Sequence, residues 1–353
     1  MKRFLSAIMA LVLCLPLMLC ALPAIYAADV TPPVITGVSM SISADFGVHF
    51  HISAPKGVQE VGAVINEREY RGVLQEDGSY TVSFRHLTPK QMTELIVAEP
   101  YYLKNTHLIR GTAYSFSVCD YATALLESDP SPELRTLLVT MLNYGTKAQQ
   151  HFGHNLKTLA NRNLPAADRQ YEAREYESIL AKLSGLPTQD RGEVTGATLL
   201  VQNRVRFKIF VDVVGQEELR YNQGAPADEV VDGMTPEQEA QALVEGMFVE
   251  VSHDEHFEKS YLYPLVKCSE NDGYRALTDG LYATEFSDAF YFRVVTADGV
   301  GTAIQYSVET YAARQSSKTS TSARLMAAMI LFGDAAKAYE ASLSSENEDA
   351  SAN

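Results

Sequence analysis

The densest cluster of possible metal ligands in the chain lies at 253–258. It combines two imidazoles three residues apart with three carboxylates, in the order His253, Asp254, Glu255, His256 and Glu258. On a helix, two such imidazoles and a carboxylate could share a metal ion. The apolar run Met247–Val251 just before them is typical of a strand, so we expect the cluster in a solvated turn. A metal site at His253 and His256 is therefore the less favoured interpretation.

Other motifs of enzyme chemistry are missing from the sequence. It contains no nucleophile elbow, phosphate loop, dinucleotide fingerprint, zincin helix or paired cysteine ligands. No catalytic residue and no cofactor is therefore predicted, and an enzyme is the less favoured class. His49 and His51 do share one face of the predicted strand Gly47–Ile52. We interpret that face as exposed rather than as a site, since Arg206 and Lys208 stand at the corresponding later positions.

Tyrosine is the remaining candidate for ligand contact. The chain has 19 Tyr and no Trp. Tyr101 with Tyr102, and Tyr261 with Tyr263, could present rings to a sugar or to a partner protein. The stronger expectation is that alternate rings of these pairs belong to the core. The absence of Trp counts mildly against a carbohydrate-binding platform, which commonly uses that residue.

Two helices joined by a tight turn are predicted from Ser117 to Phe152. Ser131 can cap the second helix, Pro132 suits its first position, and apolar residues recur at the spacing of one buried face. Gly145 lies within this apolar stripe. A glycine inside a helix costs about 1 kcal/mol relative to alanine, so we expect a close approach by another helix or strand there.

Short strands separated by turns are predicted ahead of these helices. Gly47–Ile52 alternates between apolar and polar residues, as a half-buried strand does. Asp77 and Gly78 form a hairpin-turn signal between the strand-like segments Tyr70–Leu74 and Tyr80–Phe84. These patterns predict antiparallel strands in a sandwich or curled sheet.

A weaker copy of the helical segment occurs near the C-terminus. The matching residues are Ser117 with Ser307, Tyr121 with Tyr311, and Gly145 with Gly333. The strand-like segments 35–50 and 194–209 also resemble each other. We interpret this as an internal duplication, in which Gly145, Gly333, Tyr121 and Tyr311 have structural roles.

The predicted fold is therefore of the α+β class. It consists of two tandem repeats, each an antiparallel β-sandwich-like sheet followed by a two-helix hairpin. The predicted boundaries are a signal peptide at 1–27, a first repeat at 30–155, a helical linker at 156–190, a second repeat at 191–341 and a disordered tail at 342–353. The second repeat carries an insertion at about 215–279, and insertions are where function tends to be added to a scaffold.

The N-terminus predicts export. Lys2 and Arg3 precede an apolar run and then small residues as far as Ala27, as in a cleaved secretory signal peptide, with an uncleaved membrane anchor as the second interpretation. No later apolar run is long enough to predict membrane insertion. An exported chain could pair Cys119 with Cys268, and the sequence leaves this open, with the unpaired state favoured.

The charge of the chain limits the classes of partner that it can bind. Removal of Lys2 and Arg3 leaves 27 of the 29 basic residues against 44 acidic ones, a net charge of about −17. This argues against nucleic acid and anionic membranes, since both require a basic surface. It suits a soluble extracellular protein.

The helical segment resembles a module of secreted or surface proteins from anaerobic Gram-positive gut bacteria. The residues that carry the resemblance are Ser117, Val118, Asp120, Tyr121 and Ala122, then 141–145, then Ala148 and Gln149, together with 87–93. The later copy departs from the pattern, with Leu331 in place of Asn143 and Phe332 in place of Tyr144. The resemblance implies an extracellular location and an architecture of strands plus helices. The family has no established activity to carry over.

Three functions are weighed. The first is a non-catalytic secreted or surface-associated protein for binding or scaffolding, with a protein or glycan of the cell surface as partner. The second is a glycan-active enzyme or an accessory glycan-binding protein, and the third is a passive structural spacer. A deep pocket with two or three acidic residues beside Tyr or His would favour the enzyme, and the spacer predicts no concave site.

Overall fold

The computed structural model describes residues 10–11, 31–42, 46–169, 194–202, 204–211, 243–267, 274–296, 299–313 and 320–351. The chain divides into two compact units. The first consists of Met1–Gln170 and Ala335–Asn353, and the second of Tyr171–Asp334.

The first unit contains two antiparallel sheets. Its strands are β1 (Ala10–Leu11), β2 (Val34–Ile42), β3 (Phe46–Ser53), β4 (Gln59–Ile65), β5 (Arg68–Arg71), β6 (Val73–Leu74), β7 (Tyr80–Leu87), β8 (Ile96–Lys104), β9 (His107–Arg110) and β10 (Tyr114–Phe116). One sheet has the order β1-β2-β3-β7-β6. The other has the order β10-β8-β4-β5, with β9 also paired to β8.

The alternation of β3 sets one side of the first unit's core. Val48, Phe50 and Ile52 are completely buried, whereas the two histidines between them are half-buried on the opposite face. The ring of Phe50 meets that of Phe116 on β10 edge to face, with centroids 6.2 Å apart. Each such side chain contributes about 1.5–3 kcal/mol by leaving water, so the alternation alone strongly fixes the register of β3.

Helices α1 (Val118–Glu127) and α2 (Pro132–Phe152) follow, with the predicted ends. The Ser117 hydroxyl accepts the backbone N–H of Asp120 at 3.1 Å, and the Ser131 hydroxyl accepts that of Leu134 at 3.2 Å. Gly153 ends α2 in the left-handed conformation, with φ of 63°. The predicted Ser131 cap of this hairpin is therefore confirmed.

The polar side chains of α2 hold the loop that follows it. Gln149, which is completely buried, donates to the carbonyl of Thr158 and accepts the N–H of Ala160. Asn143 accepts a hydrogen bond from the Asn161 side chain at 2.8 Å. These bonds satisfy buried polar groups that would otherwise cost about 1–3 kcal/mol each.

The second unit contains one larger sheet. Its strands are β11 (Val194–Leu200), β12 (Arg206–Val211), β13 (Leu243–Ser252), β14 (Ser260–Lys267), β15 (Tyr274–Leu277), β16 (Phe290–Thr296), β17 (Gly299–Val300) and β18 (Ile304–Tyr306). Their order is β11-β12-β15-β14-β13-β16-β17, with β18 also paired to β16. Helix α3 spans Val308–Ala313, and helix α4 begins at Thr321 and ends at Ser351.

The predicted arrangement of two tandem repeats, each with one sheet and one hairpin, is wrong. The described residues form three sheets, two of five strands in the first unit and one of eight in the second, with more strand than helix overall. Strands β13 and β14, which come from the segment predicted as an insertion, lie in the interior of the eight-stranded sheet. Local resemblance between segments does not predict which strands pair, because strand pairing depends on packing between residues far apart in the sequence.

Several predicted boundaries fall on residues outside the described ranges. Of the predicted signal peptide, only Ala10 and Leu11 are described, and they pair with Ser41 and Met40. In the predicted linker, 166–169 are helical and 170–190 lie outside the described part. Helix α4 continues through most of the segment predicted as a disordered tail. Across the described ranges, no helix is both long and apolar enough to cross a membrane.

Candidate functional site

A short turn in the second unit carries two carboxylates. A 3-10 helix spans Ala283–Glu285, and Asp288 follows it by three residues. The Glu285 side chain accepts the backbone N–H of Tyr282 at 2.6 Å, and the Glu285 carbonyl accepts that of Asp288 at 3.0 Å. The turn is thus closed by the Glu285 side chain and by the backbone of Asp288.

Helix α4 meets this turn at Gly333. A Cβ atom at Gly333 would lie 2.9 Å from the Cβ of Phe286 and 3.0 Å from the carbonyl oxygen of Ala283. The rings of Phe286 and Phe332 pack together beside it, with centroids 6.2 Å apart. The absence of a side chain at Gly333 therefore allows the helix backbone to reach the turn.

His253 approaches the same turn from the connection between β13 and β14. Its Nε2 lies 3.2 Å from Oε1 of Glu285, and its Nδ1 lies 3.8 Å from Oδ2 of Asp288. Its ring also packs against Phe290, with centroids 4.5 Å apart. The imidazole is thus held beside both carboxylates.

The connection that carries His253 is ordered by its own side chains. One oxygen of Asp254 accepts the backbone N–H groups of His256 and Glu258, at 3.0 and 3.2 Å. This cluster lies in the turn between two strands, where the sequence places it.

These groups line a cavity of about 370 Å³. The lining residues are His253, Glu285, Asp288, Ala289 and Tyr291. They supply carboxylate acceptors, an imidazole and a phenol, and no Lys or Arg occurs among the described residues of this lining. Such a cleft can accept hydrogen bonds from a ligand, and in principle it can transfer protons. We call it the 253–288 cleft.

The sequence predicts His253 as a possible ligand-binding residue, but it does not predict Glu285, Asp288 or Tyr291. His253 and Glu285 are separated by 32 residues, so no local spacing links them. The signal in the sequence is the pair of acidic residues three positions apart, Glu285 and Asp288. The sequence offers His256 as a second ligand for a metal ion at His253. In the structure, the ring of His256 is largely exposed and lies 3.6 Å from Glu255. In the described part of the chain, no group of three His, Cys, Asp or Glu side chains is arranged to hold a metal ion.

The four candidate tyrosines divide into two pairs. Tyr101 and Tyr102 are buried, and the hydroxyl of Tyr102 donates to the carbonyl of Thr31 at 2.8 Å. Neither ring is available at the surface, so both belong to the core. Tyr261, by contrast, is 66% exposed. It lies on β14 opposite Val251, so β13 separates it from β16, the strand that carries Tyr291.

Tyr263 is half-buried and pairs with a carboxylate. Its hydroxyl lies 3.4 Å from Oδ2 of Asp279 and donates to it. Burial, together with the negative charge of Asp279, raises the pKa of Tyr263 to about 12. The phenol therefore stays protonated at neutral pH and serves as a hydrogen-bond donor.

The structural candidates lie in close contacts within each unit. A Cβ at Gly145 would meet Met92, and it would lie 3.1 Å from Cβ of Ala160. The ring of Tyr121 packs against Phe116, with centroids 5.5 Å apart. The backbone N–H of Tyr311 donates to the carbonyl of Ser307 at 3.0 Å, in the first turn of α3.

Two histidines form a second polar array, on β3 of the first unit. In each ring, one nitrogen lies near a hydroxyl from β2 and the other nitrogen lies near a hydroxyl from β7. The distances are 3.0 Å from His49 to Ser41, 2.9 Å from His49 to Ser83, 2.9 Å from His51 to Ser39 and 3.3 Å from His51 to Thr81. Burial lowers the pKa of both imidazoles, and the Arg85 charge lowers that of His49 further. Neutral rings and hydroxyls satisfy one another here, so the array has the features of a structural network.

Cys119 is a free and completely buried thiol. It donates to the carbonyl of Ala160 at 3.1 Å, and burial raises its pKa. Its possible partner in the sequence, Cys268, lies outside the described residues. A buried thiol with a raised pKa is unreactive, which argues against a nucleophilic role.

No protein-family model matches the chain, and no curated protein matches it at a significant level. The resemblance noted from the sequence therefore stays an expectation. Inference about function rests on the geometry of the described residues.

Proposed function

We propose that the protein is a secreted or surface-associated binding protein that takes its ligand in the 253–288 cleft. The observation that carries this proposal is the convergence of His253, Glu285 and Asp288 on one cavity from two separate segments. A concave site lined by a few convergent polar groups is the usual form of a ligand site. The predicted export of the chain supplies the location.

Binding is favoured over catalysis because the cleft is open to water. The side chains of His253 and Asp288 are 46% and 33% exposed. General acid–base catalysis gains from sites that exclude water, whereas reversible binding does not require it. Two carboxylates beside an imidazole keep a glycan-active enzyme as the second candidate. A passive spacer is disfavoured, since it has no use for a concave site.

The proposal is tested with the mature protein on an array of neutral, acidic and amino glycans, together with a panel of basic, neutral and acidic peptides. The double variant Glu285→Gln, Asp288→Asn removes both charges. It should fold, because Gln91 already caps a similar 3-10 turn in the first unit by accepting the N–H of Thr88 at 3.1 Å. The matched control is Glu258→Gln, a nearby exposed position outside the cavity lining.

We expect at least one class of probe to bind the wild type and the control, and to lose binding in the double variant. Binding that survives in the double variant would place the ligand elsewhere and contradict the proposal. Failure of every probe to bind would contradict it as well. For any glycan that binds, reducing-end analysis after incubation separates binding from cleavage, and cleavage that requires Glu285 would establish the enzyme instead.

A further inference from the structure

The charge of the 253–288 cleft limits which ligands it accepts. Among the described residues, its lining has two carboxylates, one imidazole and the phenol of Tyr291, so the carboxylates outweigh the single positive charge that the imidazole can carry. Phosphate, sulfate or carboxylate ligands would meet like charge, which opposes binding. The ligand group is therefore neutral or cationic.

The arrangement around His253 favours a cationic group. The carboxylates of Glu285 and Asp288 both approach one planar nitrogen group, at 3.2 and 3.8 Å. An ammonium or guanidinium group in the adjoining cavity can donate to these same carboxylates in charge-assisted hydrogen bonds. Tyr291 lines the cavity and can offer a ring to the cation.

An exposed ring beside the cleft points to a protein as the carrier of that cation. Tyr282 is 53% exposed. Its backbone N–H donates to Glu285, so it directly precedes the turn that carries both carboxylates. A free amine would leave this ring in water, whereas a residue that flanks a Lys or Arg side chain could cover it.

We infer that the cleft receives a Lys or Arg side chain of a partner protein, with Tyr282 contacting a residue that flanks it. This inference rests on the proposed function and names its ligand class. The cavity, about 370 Å³, is near the lower end of ligand pockets and suits one side chain. The net charge of −15 would also steer a basic partner toward the protein and make association salt-dependent.

The test is isothermal titration calorimetry of the mature protein with a pentapeptide that has one central lysine between two leucines. The comparison ligands are the same peptide with norleucine or arginine at the centre, lysine amide alone, and a neutral disaccharide. We expect the lysine and arginine peptides to bind and the norleucine peptide to bind at least about tenfold more weakly, because a hydrogen bond to a charged group is lost. Glu285→Gln and Asp288→Asn should each weaken the lysine peptide by a similar factor, and Glu258→Gln should not.

Each other outcome has a distinct meaning. If norleucine and lysine peptides bind equally while a neutral ligand still depends on Glu285, the cation assignment is wrong and the proposed function stands. If lysine amide binds as tightly as the peptide, the assignment to a protein partner is wrong. If no ligand depends on Glu285 or Asp288, this inference and the proposed function both fail.

Discussion

Replacing Gly333 with alanine would place a methyl group against the turn that carries Glu285. The new Cβ would lie 2.9 Å from Cβ of Phe286 and 3.0 Å from the carbonyl oxygen of Ala283. Neither atom can move without the backbone of the turn. Gly145→Ala is the matched comparison, because its closest neighbour is the sulfur at the flexible end of Met92.

Two opposing contributions determine how much each substitution changes the free energy of unfolding. Overpacking costs about 1–3 kcal/mol, while alanine in place of a helical glycine contributes about 1 kcal/mol of stability. At Gly333 the turn must shift, so we expect the upper end of that cost and a net loss of about 2 kcal/mol. At Gly145 the Met92 side chain must move. The Cβ of Ala160 and the carbonyl oxygen of Pro89 would also lie 3.1 and 3.2 Å from the new Cβ. We therefore expect the middle of that cost and a net loss of about 1 kcal/mol. A loss of about 2 kcal/mol lowers Tm by about 4–8 °C in a unit of this size.

The assay is urea and thermal unfolding of the wild type and of the two glycine variants. Unfolding is monitored by circular dichroism and by tyrosine fluorescence, since the chain has no Trp. Asp334→Ala is the control, an exposed position next to Gly333 on the same helix, and it should change stability by less than about 0.5 kcal/mol. If Gly333→Ala is as stable as the wild type, or loses less than Gly145→Ala, the close approach of α4 to the turn is refuted.

Two further predictions concern buried titratable groups. Burial holds the pKa of His49 and His51 below the ordinary value of 6.5, so the unfolded chain binds more protons and the free energy of unfolding should fall as pH drops below about 6.5. Between pH 7.5 and 5, the free energy of unfolding measured in urea should fall less steeply in a His49→Asn, His51→Asn variant than in the wild type. An equally steep fall in the variant would contradict this prediction. In a Cys268→Ser background, the thiol of Cys119 should react with Ellman's reagent only after unfolding, because it is buried and its pKa is raised. Rapid labelling of the folded protein would argue against that burial.

Local features of the fold were predictable because they depend on residues a few positions apart. The caps of α1 and α2 require only that Ser117 and Ser131 precede an apolar helical stripe, and both hydrogen bonds are present. The alternation of β3 predicts which side chains are buried, since successive residues of a strand point to opposite faces. The Asp77–Gly78 turn likewise lies between paired strands, with Gly78 at a φ of 84°.

The pairing of strands could not be predicted in the same way. The resemblance between the two parts of the chain predicts two equal repeats, yet the described residues form two sheets in the first unit and one in the second. Tyr101 and Tyr102 show the same limit. Alternation predicts that one ring of an adjacent pair is core, but both are buried, because Tyr101 also packs over the backbone of Gly62.

The sequence by itself determined the helix ends, the strand alternation, the acidic charge and the expectation of export, since each follows from residue types and short spacings. Only the tertiary structure brought His253 to the turn of Glu285 and Asp288, and only it buried Tyr101 while leaving Tyr261 exposed. The physical reason is that side chains 32 or more residues apart meet through the packing of β13, β16 and α4 around one turn. That packing depends on the shapes of many side chains at once, and no local pattern records it.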